Sequence, residues 1–164
     1  MKITSKQLKE WSACTEGFEF FVKKCGKSIE LKKFAEIFAA ENQFDWAWWV
    51  IKKLLKKEQS VKIAIFAAEK VIDIFEKKYP EDKRPRQAIE AAKAWLKNPT
   101  EENRLAAYAA AGAGVGAYAA YAYAAAAYAA YAAAGAAYAY AAAKIKMKTD
   151  ILFYAVDVLE GKKL

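Results

Sequence analysis

Apolar residues recur with a helical period along most of the chain, and no segment alternates between apolar and polar positions as a strand does. The clearest case is residues 61–75, where apolar side chains repeat at intervals of three and four with charged residues between them. Ser60 is a suitable N-cap, and Tyr79-Pro80 ends the pattern, because the residue before proline avoids helical dihedral angles. The pattern therefore predicts a helix that begins at Ser60 and ends before Tyr79. Its apolar stripe consists of Val61, Ala64, Ile65, Ala68, Val71, Ile72 and Phe75.

Capping residues divide the rest of the first hundred residues into further helices. Thr4 or Ser5 can begin the first helix, and Gly26 can end the second. Ser28 is expected to cap the third helix directly, and Pro85 suits the first turn of the sixth. The predicted spans are 4–13, 15–25, 28–42, 45–57 and 85–98.

The segment from Leu105 to Ala143 contains no charged residue and consists almost entirely of Ala and Tyr. Thr100 is a predicted N-cap for it, and Thr149-Asp150 is a predicted cap for a last amphipathic helix, 151–160. An unbroken helix over 100–143 would be roughly 66 Å long, more than a compact domain of this size spans. We therefore predict a break at Gly112 to Gly116, which would give a helical hairpin; the alternative is a long helix that projects into an oligomer.

Three specialised interpretations of the Ala/Tyr segment compete with simple core packing. A membrane span is disfavoured, because alanine contributes little transfer free energy and each tyrosine hydroxyl would need a partner in the bilayer. The run GAGVG at 112–116 lacks the spacing and the neighbouring residues of a dinucleotide or phosphate loop. A tyrosine-lined contact surface remains, since Tyr118 and Tyr121 lie on one helix face. The sequence leaves open whether these tyrosines belong to the core or to a binding surface.

Together these patterns predict an all-α fold: a single-domain helical bundle of about seven to nine helices over residues 1–164, with a long Ala/Tyr-rich helix or helical hairpin. Residues 1–99 would form a basic helical body, and residues 100–164 the Ala/Tyr-rich segment and the C-terminal helix. A chain of this length can bury a sizeable core without a disulfide or a metal. Exposure of an uncharged alanine and tyrosine face would favour a homo-oligomer.

The composition argues against an enzyme. The chain has no histidine, which removes the commonest general base and the commonest transition-metal ligand. Its carboxylates are dispersed, and the two cysteines, Cys14 and Cys25, match no metal or redox spacing. They could bridge two adjacent helices, but reduced thiols are the simpler interpretation. We therefore expect a protein that is not an enzyme, with no catalytic residues, no metal and no cofactor.

The net charge of +8 favours an anionic partner. Arg84 and Arg86 flank Pro85 at a predicted helix start, where the backbone N–H groups also attract anions, and they are the best anion-binding candidates. The simpler alternative is that they pair with the nearby carboxylates of Glu81, Asp82 or Glu90. Duplex nucleic acid is not expected as the partner, because the lysines are spread over many helices. With no signal-peptide pattern in the first residues, we expect the cytoplasm of a bacterial host cell.

Several motifs resemble those of the "putative immunity protein" family of bacteria and their phages. The most specific is KRPRQAIEAAKAW at 83–95 with the Ala-rich segment after it. ACTEG at 13–17 with Phe20 and Phe21, Asp45-Trp46, and KIAIFAAEKVIDIF at 62–75 agree with it. The resemblance covers most of the chain and implies a small, all-helical, non-enzymatic protein connected with toxin immunity or phage–host conflict. The uncharged Ala/Tyr segment and its glycines depart from the family's usual pattern.

Two functional hypotheses follow. In the first, the protein sequesters an anionic nucleotide immune signal of the cyclic or ADP-ribose type and so acts in phage anti-defence. Arg84 and Arg86 would then hold phosphate, while Trp46 or Trp49 and Tyr118 or Tyr121 would stack on the base. In the second, the protein binds and masks a cognate protein toxin, with its basic face on an acidic rim of the partner.

Overall fold

The computed structural model describes residues 1–105 and 137–162, and within them the fold is all-α, as the periodicity predicts. Residues 101–105 are helical as well. The predicted break at Gly112 to Gly116, and Tyr118 and Tyr121, lie outside the described residues. The elements in chain order are β1 (Lys2–Thr4), α1 (Ser5–Glu10), α2 (Thr15–Cys25), β2 (Ser28–Glu30), α3 (Leu31–Ala40), α4 (Phe44–Leu54), α5 (Lys57–Lys78), α6 (Arg84–Lys97) and α7 (Ala137–Leu159).

A short antiparallel ribbon corrects the expectation that no segment forms a strand. Strands β1 and β2 pair with Ile3 opposite Ile29, and the side chain of Ile3 is fully buried. The prediction that Ser28 begins the third helix was therefore wrong, because Ser28 lies in β2 and α3 begins at Leu31. Strands of three residues are too short to show an alternating pattern, so no local pattern predicts them.

Local caps account for where two of the helices begin. The Gln7 N–H donates to Thr4 Oγ1 at 3.2 Å, and the Thr4 N–H donates to Gln7 Oε1 at 2.8 Å. This reciprocal capping box confirms Thr4 as the cap of α1. Helix α5 begins at Lys57 and not at the predicted Ser60. The Gln59 side chain explains the earlier start, since its Oε1 accepts the Lys56 N–H at 2.9 Å.

One compact unit comprises Met1–Gln59 with Lys148–Leu164. Its core is aromatic: the rings of Phe34 and Phe38 lie 4.2 Å apart between centroids, and those of Phe21 and Phe34 lie 6.2 Å apart. Aliphatic side chains complete this core. The other large side chains that are fully buried in this unit are Phe44, Ile3, Leu31, Ile51, Leu152 and Val156.

The second unit, Ser60–Met147, contains most of α5 and all of α6, which form an antiparallel hairpin. Two ion pairs join the two helices and show its register. Arg86 pairs with Glu76 at 2.6 Å, and Lys93, seven residues later, pairs at 2.9 Å with Glu69, seven residues earlier. The described apolar side chains that are buried in this unit include Ile63, Ile72, Phe75, Pro85, Ile89 and Trp95.

The boundaries of α5, α6 and α7 test three more of the predictions. Helix α5 ends at Lys78, directly before Tyr79-Pro80, and α6 ends at Lys97 with Asn98 as its C-cap, so both predicted ends are confirmed. The predicted start of a last helix at 149–151 was wrong. Helix α7 runs without a break through Thr149, because a good N-cap residue inside a longer helical stretch does not by itself start a new helix. The assignment of 1–164 to a single domain stays a prediction.

Candidate functional site

The turn between α5 and α6 positions the first predicted anion-binding residue, Arg84. The carboxylate of Asp82 accepts three hydrogen bonds from Arg84: from its backbone N–H at 3.1 Å, from Nε at 2.9 Å and from Nη2 at 2.7 Å. The guanidinium fork is therefore engaged by a carboxylate two residues earlier. Asp82 also stabilises the start of α6, because its carboxylate accepts the Arg84 backbone N–H, which has no partner within the helix.

This contact shifts the acid–base equilibria of both partners. The hydrogen bond from Arg84 lowers the pKa of Asp82 to about 2. The same hydrogen bond raises the pKa of Arg84 above its usual value. Both groups are therefore charged at neutral pH, and an external anion would have to compete with a carboxylate that is already in place.

Arg86, the second candidate, is also engaged by carboxylates. Its Nε donates to Glu76 Oε1 at 2.8 Å, and its Nη2 donates to Glu76 Oε2 at 2.6 Å. A weaker contact joins Nη2 to Asp73 Oδ1 at 3.5 Å. The hydrogen bond from Arg86 lowers the pKa of Glu76. Arg86 therefore ties the start of α6 to the last turns of α5.

The alternative interpretation of the sequence, in which the arginines pair with nearby carboxylates, identified the partner of Arg84 but not the partners of Arg86. Asp82 was among the carboxylates expected near the arginines, and it holds Arg84. The partners of Arg86 come from the preceding helix, ten and thirteen residues away. The sequence does contain a signal for an acidic site on α5, because Asp73 and Glu76 are three residues apart and share one face of that helix. Only the hairpin register, however, brings that face to Arg86.

An open groove of about 540 Å³ lies at this turn. Two acidic and two basic side chains with one amide line it, so its charges are balanced within the groove itself. Such a lining does not select an anion by net charge. Binding of an anion by Arg84 and Arg86 therefore stays a prediction. The lining residues are Glu81, Asp82, Lys83, Arg84 and Gln87.

The two predicted tryptophans belong to the other unit and are half-buried. The ring of Trp46 lies 5.4 Å from that of Phe20. The ring of Trp49 meets the ring of Trp11 edge to face at 6.5 Å, and Lys53 Nζ lies 5.4 Å from the Trp49 centroid. Each tryptophan therefore has a structural partner and leaves part of its ring accessible. Stacking of either ring on a base stays a prediction.

The two thiols do not form a disulfide. Cys14 is the N-cap of α2 and Cys25 its last residue, so they lie at opposite ends of one helix, roughly 16 Å apart. Burial raises the pKa of the Cys25 thiol. In the described part of the chain, no cluster of three or more acidic or thiol side chains has the geometry to hold a metal ion.

Comparison with known proteins connects this chain to two families. Residues 51–161 match a family model described as Imm-5 like putative immunity protein. The chain belongs to this immunity protein family. Residues 1–58 match the YdhT N-terminal domain. No curated protein matches the chain, and no solved structure does.

Membership of the Imm-5 like family confirms the resemblance inferred from the sequence motifs. The region that matches this family contains Arg84 and Arg86, whereas Trp46 and Trp49 lie in the region similar to the YdhT N-terminal domain. Among the described helices, none combines the length and the hydrophobicity that a transmembrane span requires.

The Asp82–Arg84 contact in this Imm-5 like chain predicts a measurable pH dependence. The pKa of Asp82 is lowered in the folded state from 3.8 to about 2, so the unfolded state binds more protons between these values. The stabilisation is present above the unfolded pKa and is lost as the pH falls through about 2. We expect the carboxylate of Asp82 to titrate near pH 2 in an NMR experiment on the folded protein.

The control is Asp82→Asn, which keeps the shape of the side chain and removes the titrating group. Thermal unfolding midpoints of this variant should fall less steeply than those of the wild type as the pH is lowered below about 4. Equal slopes for the two proteins, or a titration of Asp82 at its ordinary value, would refute the contact.

Proposed function

We propose that this protein neutralises a protein toxin by binding and masking it, without catalysing a reaction. The observation that carries the proposal is the match of residues 51–161 to the Imm-5 like immunity protein family. Immunity by stoichiometric masking requires an exposed surface that is complementary to the toxin in shape and charge. It does not require a deep pocket for a small ligand.

The geometry of the arginines supports a protein partner over a nucleotide. Arg84 and Arg86 are both held by carboxylates, and the groove beside Arg84 is open and balanced in charge. A phosphate ligand would have to displace Asp82 from Arg84 and Glu76 from Arg86, and each displacement leaves a carboxylate without its partner. A protein partner can instead contact the exposed basic side chains and leave these pairs intact.

Sequestration of a nucleotide immune signal is the competing hypothesis. Its predicted residues are Arg84 and Arg86 for phosphate, with an aromatic ring for the base. Isothermal titration calorimetry with cyclic nucleotides and ADP-ribose derivatives measures their affinity for the protein, and product analysis shows whether they are turned over. Tight binding that is lost in Arg84→Ala and Arg86→Ala would replace the toxin proposal by this one, and turnover would replace it by an enzyme.

The toxin proposal is tested by capture and rescue. The tagged protein is expressed in its own host, its enriched partners are identified, and each is expressed alone in a test strain. We expect one partner to arrest growth on its own and growth to be restored when this protein is expressed with it. Rescue should survive Arg84→Ala and Arg86→Ala, because the arginines are engaged within the chain. If no captured partner is toxic, or if a toxic partner is not neutralised, the proposal fails.

A further inference from the structure

Two rows of side chains follow one side of α4. Trp48 precedes Lys52 by four residues and Trp49 precedes Lys53 by four, so each tryptophan is adjacent to a lysine along the helix. Helix α4 ends at Leu54, and two more lysines follow at the junction with α5. We name this set the Trp–Lys surface; its members are Trp48, Trp49, Lys52, Lys53, Lys56 and Lys57.

The Trp–Lys surface is separate from the side of α4 that builds the core. The core side consists of Phe44, Ala47, Val50 and Ile51, which are all buried. The two tryptophans are half-buried, and all four lysines of the surface are exposed. Since α4 already uses its apolar side within the protein, the Trp–Lys surface is available for an outside partner.

Lys52 and Lys53 lie in a stretch of the sequence that has no acidic residue. Residues 46–57 contain four lysines and no acidic residue, and the carboxylates of Asp45 and Glu58 stand only at the two ends. Some other lysines of this unit are paired, among them Lys24 with Glu41 and Lys33 with Glu36. In the described residues, neither of the two surface lysines within α4 has a carboxylate within ion-pairing distance. Lys52 and Lys53 therefore present positive charge to solvent.

The backbone under the junction lysines is fixed in place. Gln59 Oε1 accepts the backbone N–H of Lys56 at 2.9 Å, and Gln59 Nε2 donates to the Val158 carbonyl at 3.3 Å. The Gln59 side chain thus links the end of α4 to the C-terminal part of α7 within one unit. A surface whose backbone is already ordered loses less entropy when a partner binds.

The chemistry of the surface favours protein carboxylates over nucleic acid or lipid. The Lys53 ammonium lies over the Trp49 ring and Trp11 contacts the same ring, so a base that stacks on Trp49 would compete with partners that are already in place. No arginine occurs before Arg84, so the surface lacks the fork that grips phosphate with two hydrogen bonds. The apolar side of α4 is buried and so cannot enter a lipid interface. Tryptophan, in contrast, is enriched among residues that dominate protein interfaces.

We propose that the Trp–Lys surface is the docking site for an acidic face of the protein partner. This inference rests on the proposed function, because it assigns the surface through which the toxin is masked. Lys52 and Lys53 supply the charge that steers and holds the partner, and the exposed part of Trp48 supplies an apolar anchor.

A defined probe tests the surface independently of any toxin. Binding of a short synthetic peptide rich in glutamate and leucine is measured by titration against the wild type and against Lys52→Glu combined with Lys53→Glu. The matched control is Lys27→Glu combined with Lys32→Glu, which makes the same change in net charge on two other exposed lysines of this unit. We expect the first pair to weaken peptide binding about tenfold and the control pair to change it less than about twofold. Trp48→Ala should also weaken binding.

The other possible occupants are outcomes of the same experiment. Oligouridine RNA and vesicles containing phosphatidylglycerol are titrated against the same proteins. Peptide binding that depends on Lys52 and Lys53, with RNA and vesicle binding indifferent to them, supports the proposal. No peptide binding, equal losses in both lysine pairs, or RNA or vesicle binding that depends more strongly on Lys52 and Lys53 overturns it. The growth-rescue experiment fails or succeeds separately, so the toxin proposal can stand when this surface assignment falls.

Discussion

Replacing Phe34 with alanine is expected to lower the free energy of unfolding by about 3 to 5 kcal/mol. Phe34 has no exposed surface, and its ring lies between those of Phe21 and Phe38 at the centre of the first unit. The substitution removes buried apolar area and leaves a cavity, because α2 and α3 carry several other aromatic side chains that hold their separation. Chemical denaturation followed by circular dichroism measures the change.

The matched control is Val22→Ala, which shortens an apolar side chain of α2 that is 42% exposed. We expect this control to change the free energy of unfolding by less than about 0.5 kcal/mol, as is usual for surface positions. A loss of less than 1 kcal/mol for Phe34→Ala, or equal losses for the two variants, would show that the aromatic core is not assembled as described.

Replacing Trp95 with alanine should have an effect of similar size in the second unit. Trp95 is 6% exposed and lies in the last turns of α6, within the motif that carries the family resemblance. Truncation of a buried tryptophan typically costs about 3 to 5 kcal/mol. The same denaturation experiment applies, with Ala94→Ser at the neighbouring exposed position as the control. Retention of wild-type stability by the Trp95 variant would contradict its place in the core.

The two variants together test the prediction that residues 1–164 form a single domain. If the chain unfolds as one cooperative unit, each substitution shifts the same transition and all probes report one midpoint. If the two compact units unfold separately, Phe34→Ala shifts one transition and Trp95→Ala shifts the other. The second result would refute the single-domain prediction.

Helical periodicity was sufficient to predict the fold class and the ends of α2, α5 and α6. Helices α1 and α4 end at Glu10 and Leu54, each three residues before its predicted end. The end of α5 before Tyr79-Pro80 and the place of Pro85 in the first turn of α6 depend on local backbone geometry, which the residues themselves determine. The ribbon of β1 and β2 was not predicted, because it forms by pairing between residues that are far apart in the chain. Similarly, α7 continues through Thr149 because neighbouring helical residues outweigh one capping side chain.

The candidate site was harder to predict than the fold. Their position beside Pro85 at a predicted helix start identified Arg84 and Arg86 as candidates. Whether each guanidinium is open to a ligand, however, depends on which carboxylate lies beside it. Asp82 is two residues from Arg84 and could be proposed from the sequence, whereas Glu76 reaches Arg86 only through the register of the α5–α6 hairpin. The lysines of the Trp–Lys surface can be read directly from the sequence. The separation of this surface from the core side becomes clear only from the burial of each side chain.

The most direct test of the account is a titration of toxin activity with this protein. The captured toxin is held at a fixed concentration, increasing amounts of the protein are added, and residual activity is measured together with the mass of both chains. Masking predicts that activity falls linearly to zero at a fixed stoichiometric ratio and that both chains are recovered with unchanged mass. Inactivation that is complete far below that ratio, or a covalent change in the toxin, would contradict the account and indicate an enzyme.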